Sequence, residues 1–176
     1  MDVDETLLGS LRPLSGRTAV RFERTYRTTA TDLWSAVTDP ARVGRWLAPL
    51  SGDLQPGGGW RLDFGDDESS GTVLRCQPPH LLEVSWDFPG EPTSRVTVQV
   101  APGATAEGGP SSHLVLEHVL LPGAQAAGYG AGWHAHLDGL AAELQDGPPA
   151  AWDEVFAAVL PRYRSRAAGT TGAHGS

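Results

Sequence analysis

Hydrophobic and polar residues alternate with a period of two in several short segments of this 176-residue chain. In the segment 93–100, Val96, Val98 and Val100 fall on one face and polar residues fall on the other. This alternation is typical of a strand with one buried face. The same pattern, interrupted by turns rich in glycine and proline, predicts further strands at 17–28, 60–64, 72–77, 81–88 and 113–122.

Two short helices are predicted directly after the first strand. Thr29 and Asp39 are placed as their N-caps, because a short polar side chain there accepts hydrogen bonds from the free N–H groups of the first turn. Pro40 suits the first helical position, where its missing N–H costs nothing. The apolar residues that follow recur at helical spacing: Leu33, Trp34 and Val37 in one helix, and Val43, Trp46 and Leu47 in the other.

A long helix is predicted over about 123–145. Its apolar residues fall at intervals of four, four, three and four, which places them on one helical face: Tyr129, Trp133, Leu137, Leu140 and Leu144. The sequence DGPP at 146–149 ends this helix. A second amphipathic segment at 151–166 predicts a shorter terminal helix.

The order of these elements predicts an α+β fold. A run of antiparallel strands with helices segregated to one face is the usual form of this class. We expect a curved antiparallel sheet of six to seven strands wrapped around the long C-terminal helix, with two short helices after strand one.

The chain resembles the SRPBCC superfamily, whose START-like and birch-pollen-allergen-like members have the helix-grip fold. Within it, the chain is most similar to homologues of the activator of the 90-kDa heat-shock protein ATPase. Five segments carry the resemblance, in the family's order: LWSAVTDPARVGRWLAP (33–49), PGGGWRLDF (56–64), GTVLRCQPPHLLEVSWDF (71–88), LVLEHVLLP (114–122) and GWHAHLDGLAAEL (132–144). AWDEVFAAVLPRYR (151–164) also resembles a common tail of bacterial members.

The resemblance implies a helix-grip domain with an internal hydrophobic cavity between sheet and helix. Members of the superfamily bind or transform small apolar ligands, and one eukaryotic branch acts as a co-chaperone. On this basis we divide the chain into a flexible acidic extension (1–16), a helix-grip domain (17–146), a C-terminal helical extension (147–166) and a disordered tail (167–176).

Charge and composition argue against several classes of partner. Thirteen basic and 21 acidic residues give a net charge of −8, whereas nucleic acids and anionic membranes need a basic surface. The N-terminus has no signal-peptide pattern, and no apolar run approaches the roughly 20 residues of a membrane span. A single cysteine, Cys76, fits a reducing compartment. We expect a cytoplasmic protein without a nucleic-acid or membrane partner.

The segment GWHAHLDGL (132–140) invites a metal-site interpretation. Two histidines on a helix share an ion when they are three or four residues apart, because both imidazoles then lie on one face. His134 and His136 are two residues apart, about 200° around the helix. Neither a metal nor a cofactor is predicted, since PGGGW at 56–60 also lacks the lysine of a phosphate-binding loop.

The predicted ligand cavity combines one face of the sheet with one face of the long helix. His118 shares a strand face with Leu114, Leu116 and Leu120, where a buried imidazole needs a polar partner and could anchor a ligand. The predicted lining is Trp34, Val37, Trp46, Leu62, Phe64, Leu74, Trp86, Val98, Leu116, His118, Tyr129, Trp133, His136, Leu137 and Leu140.

Three functional hypotheses follow. The first is a non-catalytic domain that binds a small hydrophobic or aromatic molecule. The second is a protein-interaction domain of the co-chaperone type, with a chaperone or another protein as partner. The third is an enzyme of the polyketide cyclase or dehydratase kind, with His118 as the catalytic candidate. Alternation places Glu117 and Asp63 on the solvent side of their strands, so no acid–base pair with His118 is predicted.

Overall fold

The computed structural model describes residues 2–148 and 151–171. Eight strands and four helices lie in these ranges, after a short 3₁₀ turn at Glu5–Leu7. The strands are β1 (Ser10–Leu14), β2 (Arg17–Tyr26), β3 (Leu50–Gly52), β4 (Gly59–Asp63), β5 (Glu68–Gln77), β6 (Leu81–Trp86), β7 (Ser94–Ala104) and β8 (Pro110–Leu121). The helices are α1 (Ala30–Thr38), α2 (Pro40–Trp46), α3 (Gly123–Leu144) and α4 (Trp152–Thr171). None of these helices is both long and apolar enough to cross a membrane.

The strands form one antiparallel sheet in the order β1-β2-β8-β7-β6-β5-β4-β3. The predicted α+β helix-grip fold is confirmed. The sheet has more strands than the six to seven predicted, because β1 and β3 extend its two edges. β3 has only three residues, which is too short to show alternation in the sequence.

Strand β1 lies in the segment 1–16, which was predicted to be a flexible extension. It pairs with β2, with Leu11 opposite Val20, and the preceding Gly9 donates its N–H to the Tyr163 hydroxyl at 2.8 Å. An edge strand is held by backbone bonds on one side and tolerates Pro13, so its sequence need not alternate. The prediction of flexibility is therefore corrected for Ser10–Leu14.

Strand β5 bends in the middle, and the bend gives the sheet part of its curvature. Its first half pairs with β4 and its second half with β6, with a register shift between Val73 and Arg75. A Cβ atom at Gly71 would lie 2.0 Å from the carbonyl oxygen of Ser85. Glycine is therefore required at this close approach of two strands.

The two short helices begin at the predicted caps. The Thr29 hydroxyl accepts the N–H of Asp32 at 3.1 Å. The Asp39 carboxylate accepts the N–H groups of Ala41 and Arg42 at 2.8 and 3.3 Å. These local bonds satisfy donors that a helix leaves free at its first turn, which is why the sequence alone located them.

Helix α3 covers the concave face of the sheet. Trp133, Leu137 and Leu140 on its predicted face are buried, whereas Tyr129 and Leu144 are half-buried. These residues belong to one hydrophobic core that extends from the sheet to α4. Helix α4 contributes Val155, Val159 and Tyr163 to this core. The sheet residues in it include Val20, Phe22, Trp86, Leu114 and Leu116.

Helix α4 lies across α3. A Cβ atom at Gly130 would lie 2.5 Å from Cδ1 of Tyr163, and one at Gly132 would lie 3.9 Å from Cζ2 of Trp152. Residues 152 and 163 are about 16 Å apart along a helix, yet both reach one short stretch of α3. The helices therefore cross, and α3 is narrow at the crossing because Gly130 has no side chain.

The end of α4 also corrects the predicted tail. Residues 167–171 continue the helix, whereas 167–176 was predicted to be disordered; residues 172–176 lie outside the described residues. The sequence AAGTT has no apolar periodicity, so the continuation was not visible in the pattern. The domain boundaries at 17–146 and 147–166 remain predictions.

Candidate ligand-binding groove

A groove of about 700 Å³ opens to solvent beside the crossing of α3 and α4. Its other walls come from the turn after β4, from β5 and from the connection between β6 and β7. Most of its surface is carbon. Seven aromatic side chains contribute to it: Phe64, Trp86, Phe88, Tyr129, Trp133, Trp152 and Phe156.

Helix α4 supplies one wall through residues spaced four apart. Trp152, Phe156, Leu160 and Arg164 all line the groove, as this spacing places them on one helical face. The rings of Trp152 and Phe156 are stacked, with centroids 4.7 Å apart and planes 16° from parallel. The wall is therefore aromatic at one end and becomes cationic at Arg164.

Helix α3 forms the floor of the groove, and two of its glycines leave space there because they have no side chain. Gly128 and Gly132 both line the groove, and a Cβ atom at Gly128 would meet no other atom within 4 Å. Larger residues at these positions would occupy the space. The volume of the groove thus depends on small residues of α3 that the apolar periodicity did not single out.

Five predicted lining residues meet in this groove, and most of the others surround a different space. Phe64, Trp86, Tyr129, Trp133 and His136 line the groove. Between α3 and the sheet, where the internal cavity was expected, the described residues enclose only about 80 Å³. Large side chains fill this interior, and eight predicted residues line what remains: Val37, Trp46, Leu62, Trp86, Val98, Leu116, Trp133 and Leu137.

Four predicted lining residues border neither space. Leu74 is 45% exposed, because its neighbour Val73 takes the buried face of β5. Trp34 is half-buried on α1, and Leu140 is fully buried within the core. The fourth is His118. Two adjacent apolar residues such as Val73 and Leu74 cannot both face inward on a strand, and the sequence did not show which one does.

His118 is enclosed in a chain of hydrogen bonds. Trp133 donates its indole N–H to Nδ1 at 3.0 Å, so the neutral ring carries its proton on Nε2 and donates it to Ser94 Oγ at 2.7 Å. Ser94 in turn donates to the carbonyl oxygen of Trp86 at 3.3 Å. Burial lowers the pKa of His118 to about 3. Both ring nitrogens are used within the protein, which makes His118 a packing residue and corrects its predicted place in the lining.

The carboxylate beside His118 in sequence faces outward, as the alternation predicted. Glu117 forms ion pairs with Arg21 and, at 3.2 Å, with Arg12 on the outer face of the sheet. Asp63 is exposed at the end of β4. No proton-transfer pair between His118 and either carboxylate follows from this arrangement.

His134 and His136 point to different neighbours. The buried His134 has Nδ1 3.1 Å from the Tyr163 hydroxyl and Nε2 3.8 Å from Asp138. His136 lies on the groove side. Within residues 2–148 and 151–171, no three histidine, cysteine or acidic side chains come together in a way that would hold a metal ion.

His136 presents a hydrogen-bond acceptor to the groove. Its Nδ1 donates to the carbonyl oxygen of Trp46 at 3.2 Å, so Nε2 of the neutral ring holds a lone pair. Burial lowers the pKa of His136 to about 4, which keeps the ring neutral at pH 7. Phe64 and Trp152 flank the ring, with centroids 6.2 and 5.6 Å away.

Glu91 and Tyr129 form a second polar point in the groove. Tyr129 donates its hydroxyl proton to Glu91 Oε2 at 2.6 Å. Burial, together with Glu91, raises the pKa of Tyr129 and keeps it a phenol; the indole N–H of Trp86 acts in the opposite sense, although it lies outside hydrogen-bonding geometry. Glu91 was not among the predicted lining residues, since nothing in a loop sequence shows which way a carboxylate points.

Comparison with known proteins identifies relatives of this chain. The family model described as Activator of Hsp90 ATPase homolog 1-like protein matches residues 27–145. CalU16 from Micromonospora echinospora is 27% identical, with a TM-score of 0.75 over 90% of this chain and 95% of that chain. A search of proteins of curated function gave no match.

Two further solved structures share the fold. DynU16, a protein in the dynemicin biosynthetic locus, is 30% identical, with a TM-score of 0.64 over 75% of this chain and 49% of that chain. PFC0360w, an HSP90 activator from Plasmodium falciparum, is 23% identical, with a TM-score of 0.50 over 60% of this chain and 74% of that chain. At 23% identity, the similarity to PFC0360w supports the fold alone.

Proposed function

The chain belongs to the family of Activator of Hsp90 ATPase homolog 1-like proteins, and on this premise we propose that it is a cytoplasmic protein that binds a small aromatic molecule in the groove between α3 and α4. The observation that carries the proposal is the meeting of seven aromatic side chains in one open space of about 700 Å³. Sites for small molecules are concave and mainly apolar, with a few polar groups that orient the ligand.

The composition of the walls supports an aromatic ligand over a flexible aliphatic one. The indole of Trp152 and the ring of Phe156 are stacked on each other and line the groove together. Aromatic rings gain about 0.5–1.5 kcal/mol from such contacts beyond the area they bury. DynU16 is a protein of a biosynthetic locus, which fits a role beside small-molecule chemistry.

The proposal is tested by a ligand screen with a variant whose groove is filled. Gly128→Leu puts a side chain into open space on α3 and improves helix propensity by about 1 kcal/mol, so it should fold. Gly169→Leu is the matched control, because Gly169 is also helical and has no atom within 4 Å of a built Cβ, but it does not line the groove.

Purified protein is screened against aromatic and polyketide compounds by thermal shift and native mass spectrometry. A ligand at one hundred times its Kd stabilises the folded state by about 2.7 kcal/mol, a shift of several degrees in Tm. We expect a ligand that binds wild type and Gly169→Leu but not Gly128→Leu. The proposal would be contradicted if no compound binds the folded protein, or if a ligand binds the wild type and both variants equally.

A second candidate function is docking to a chaperone. The family description names an activator of the Hsp90 ATPase, and two aromatic rings at the rim of the groove, Phe64 and Trp152, are 37% and 36% exposed. Exposed apolar surface of this kind suits a protein partner. Titration with purified Hsp90 tests it: binding that Gly128→Leu leaves intact and a Phe64→Ser variant abolishes would favour docking over ligand binding.

A further inference from the structure

We propose that the groove selects ligands that carry an amino group, which pairs with the carboxylate of Glu91. This inference rests on the proposed function and specifies the chemical class of the ligand. It begins with the position of Glu91, which is half-buried and lines the groove.

Glu91 has one hydrogen-bond donor and no cationic partner among residues 2–148 and 151–171. Tyr129 donates to Oε2, while no arginine or histidine nitrogen of these residues comes within ion-pair distance of the carboxylate. A carboxylate accepts about four hydrogen bonds. Once a ligand displaces water from the groove, the charge of Glu91 is stable only if the ligand supplies a cation or further donors.

A tight turn holds Glu91 in place. The N–H of Glu91 donates to the carbonyl oxygen of Phe88 at 3.1 Å. Pro89 and Gly90 occupy the central positions, and Gly90 has a positive φ of 79°, the pattern of a type II turn. The carboxylate is thus carried on a short, preorganised connection between β6 and β7.

Aromatic rings line the groove that contains the carboxylate of Glu91. Tyr129 bonds Glu91 directly, and Trp86, Phe88 and Trp133 line the same groove; the ring centroids of Trp86 and Trp133 are 5.6 Å apart. Aromatic faces attract cations, and the attraction grows when the site excludes water. A carboxylate that shares a groove with several rings is therefore a suitable site for an ammonium group.

The remaining polar atoms agree with a ligand that donates hydrogen bonds. His136 offers the lone pair of Nε2, as its Nδ1–H is held by Trp46. The net charge of −8 also attracts cations over long range. Arg164 is the one arginine among the described lining residues, and it lies about 18 Å along α4 from Trp152, exposed at the far end of the wall.

The test compares matched ligands on two aromatic scaffolds, indole and naphthalene. Each scaffold carries an ethylamine, a propyl or a propanoic acid side chain, and affinities are measured by calorimetry at pH 7.5. We expect the amine to bind about five- to tenfold more tightly than the propyl compound, and the acid to bind most weakly.

Two variants locate the preference. Glu91→Gln keeps an acceptor for Tyr129 and should reduce the affinity of the amine to that of the propyl compound without changing the latter. Glu154→Gln is the matched control, because Glu154 is exposed and does not line the groove; it should leave the preference for the amine unchanged. Equal affinities of amine and propyl compounds would overturn the inference while leaving the proposed function standing, and so would a preference for the acid that Arg164→Gln removes. No binding by any compound would contradict the proposed function itself.

Discussion

The indole N–H of Trp133 donates a hydrogen bond to Nδ1 of His118 at 3.0 Å. Trp133 also lines the groove, so a wall of the candidate site is fixed to the buried centre of the sheet. The chain of bonds continues through Ser94 to the carbonyl oxygen of Trp86, which is another wall residue. The orientation of the Trp133 indole therefore depends on one neutral histidine, which also links it to the backbone of Trp86.

This relationship predicts a coupling between Trp133 and His118. Trp133→Phe leaves Nδ1 of His118 buried without a donor, and an unsatisfied buried group costs about 1–3 kcal/mol of unfolding free energy. In a His118→Leu background the same change has no hydrogen bond to remove. Urea denaturation of the wild type, both single variants and the double variant should give a coupling energy of about 1 kcal/mol. Additive losses would show that the bond contributes nothing.

Two buried histidines, His118 and His134, and the half-buried His136 predict a loss of stability in mild acid. Burial lowers the pKa of His118 to about 3 and those of His134 and His136 to about 4, whereas the unfolded chain titrates near 6.5. Between these pKa values the histidines are protonated in the unfolded state and neutral in the folded state. Stability is fully present above pH 6.5 and falls as the pH decreases toward 4.

Urea denaturation between pH 7 and pH 5 measures this effect. We expect a loss of about 1–2 kcal/mol for each histidine, partly offset by Asp138, whose pKa is raised by burial. His136→Gln keeps a donor for the Trp46 carbonyl. This variant should lose less unfolding free energy between pH 7 and pH 5 than the wild type, by the amount that one histidine contributes. If the unfolding free energy of this variant depends on pH as strongly as that of the wild type, His136 is not held neutral in the folded state.

Local signals explain which parts of the fold were predictable. The caps Thr29 and Asp39 bond to residues two or three positions away, so the sequence contains all the information. Strand β1 depends on distant partners, such as the bond from the preceding Gly9 to Tyr163. Hydrophobic periodicity does not reveal a segment that is held in place by contacts with residues far away in the sequence.

The candidate site was predictable only in part for the same reason. Phe64, Trp86, Tyr129, Trp133 and His136 were assigned to a cavity wall and do line one space. The location of that space was wrong, because large side chains fill the interior under α3 and the crossing of α4 creates a groove beside it. The crossing depends on Gly130 meeting Tyr163, a contact that residue spacing does not reveal.

The crossing of α3 and α4 predicts opposite effects at two glycines of one helix. Gly130→Ala would place a Cβ 2.5 Å from Tyr163, and moving that ring disturbs its bonds to Gly9 and His134. We expect a net loss of about 1–3 kcal/mol. Gly128→Ala meets open space and should gain about 0.5–1 kcal/mol through helix propensity. Thermal unfolding compares the two, and a gain in both variants would contradict the tight crossing.

The exposed wall of the groove predicts a change that separates binding from stability. Trp152 is 36% exposed and stacks on Phe156, so Trp152→Ala should cost less than about 1.5 kcal/mol of stability. The same change removes an aromatic ring from the groove and should weaken an aromatic ligand about fivefold. Leu74→Ala is the control, because Leu74 is 45% exposed and lines neither space. Calorimetry with the naphthalene amine, beside urea denaturation of each variant, measures both quantities. If Trp152→Ala binds as tightly as Leu74→Ala, α4 is not a wall of the binding site, and the ligand would have to lie on the side of the groove formed by α3 and the sheet.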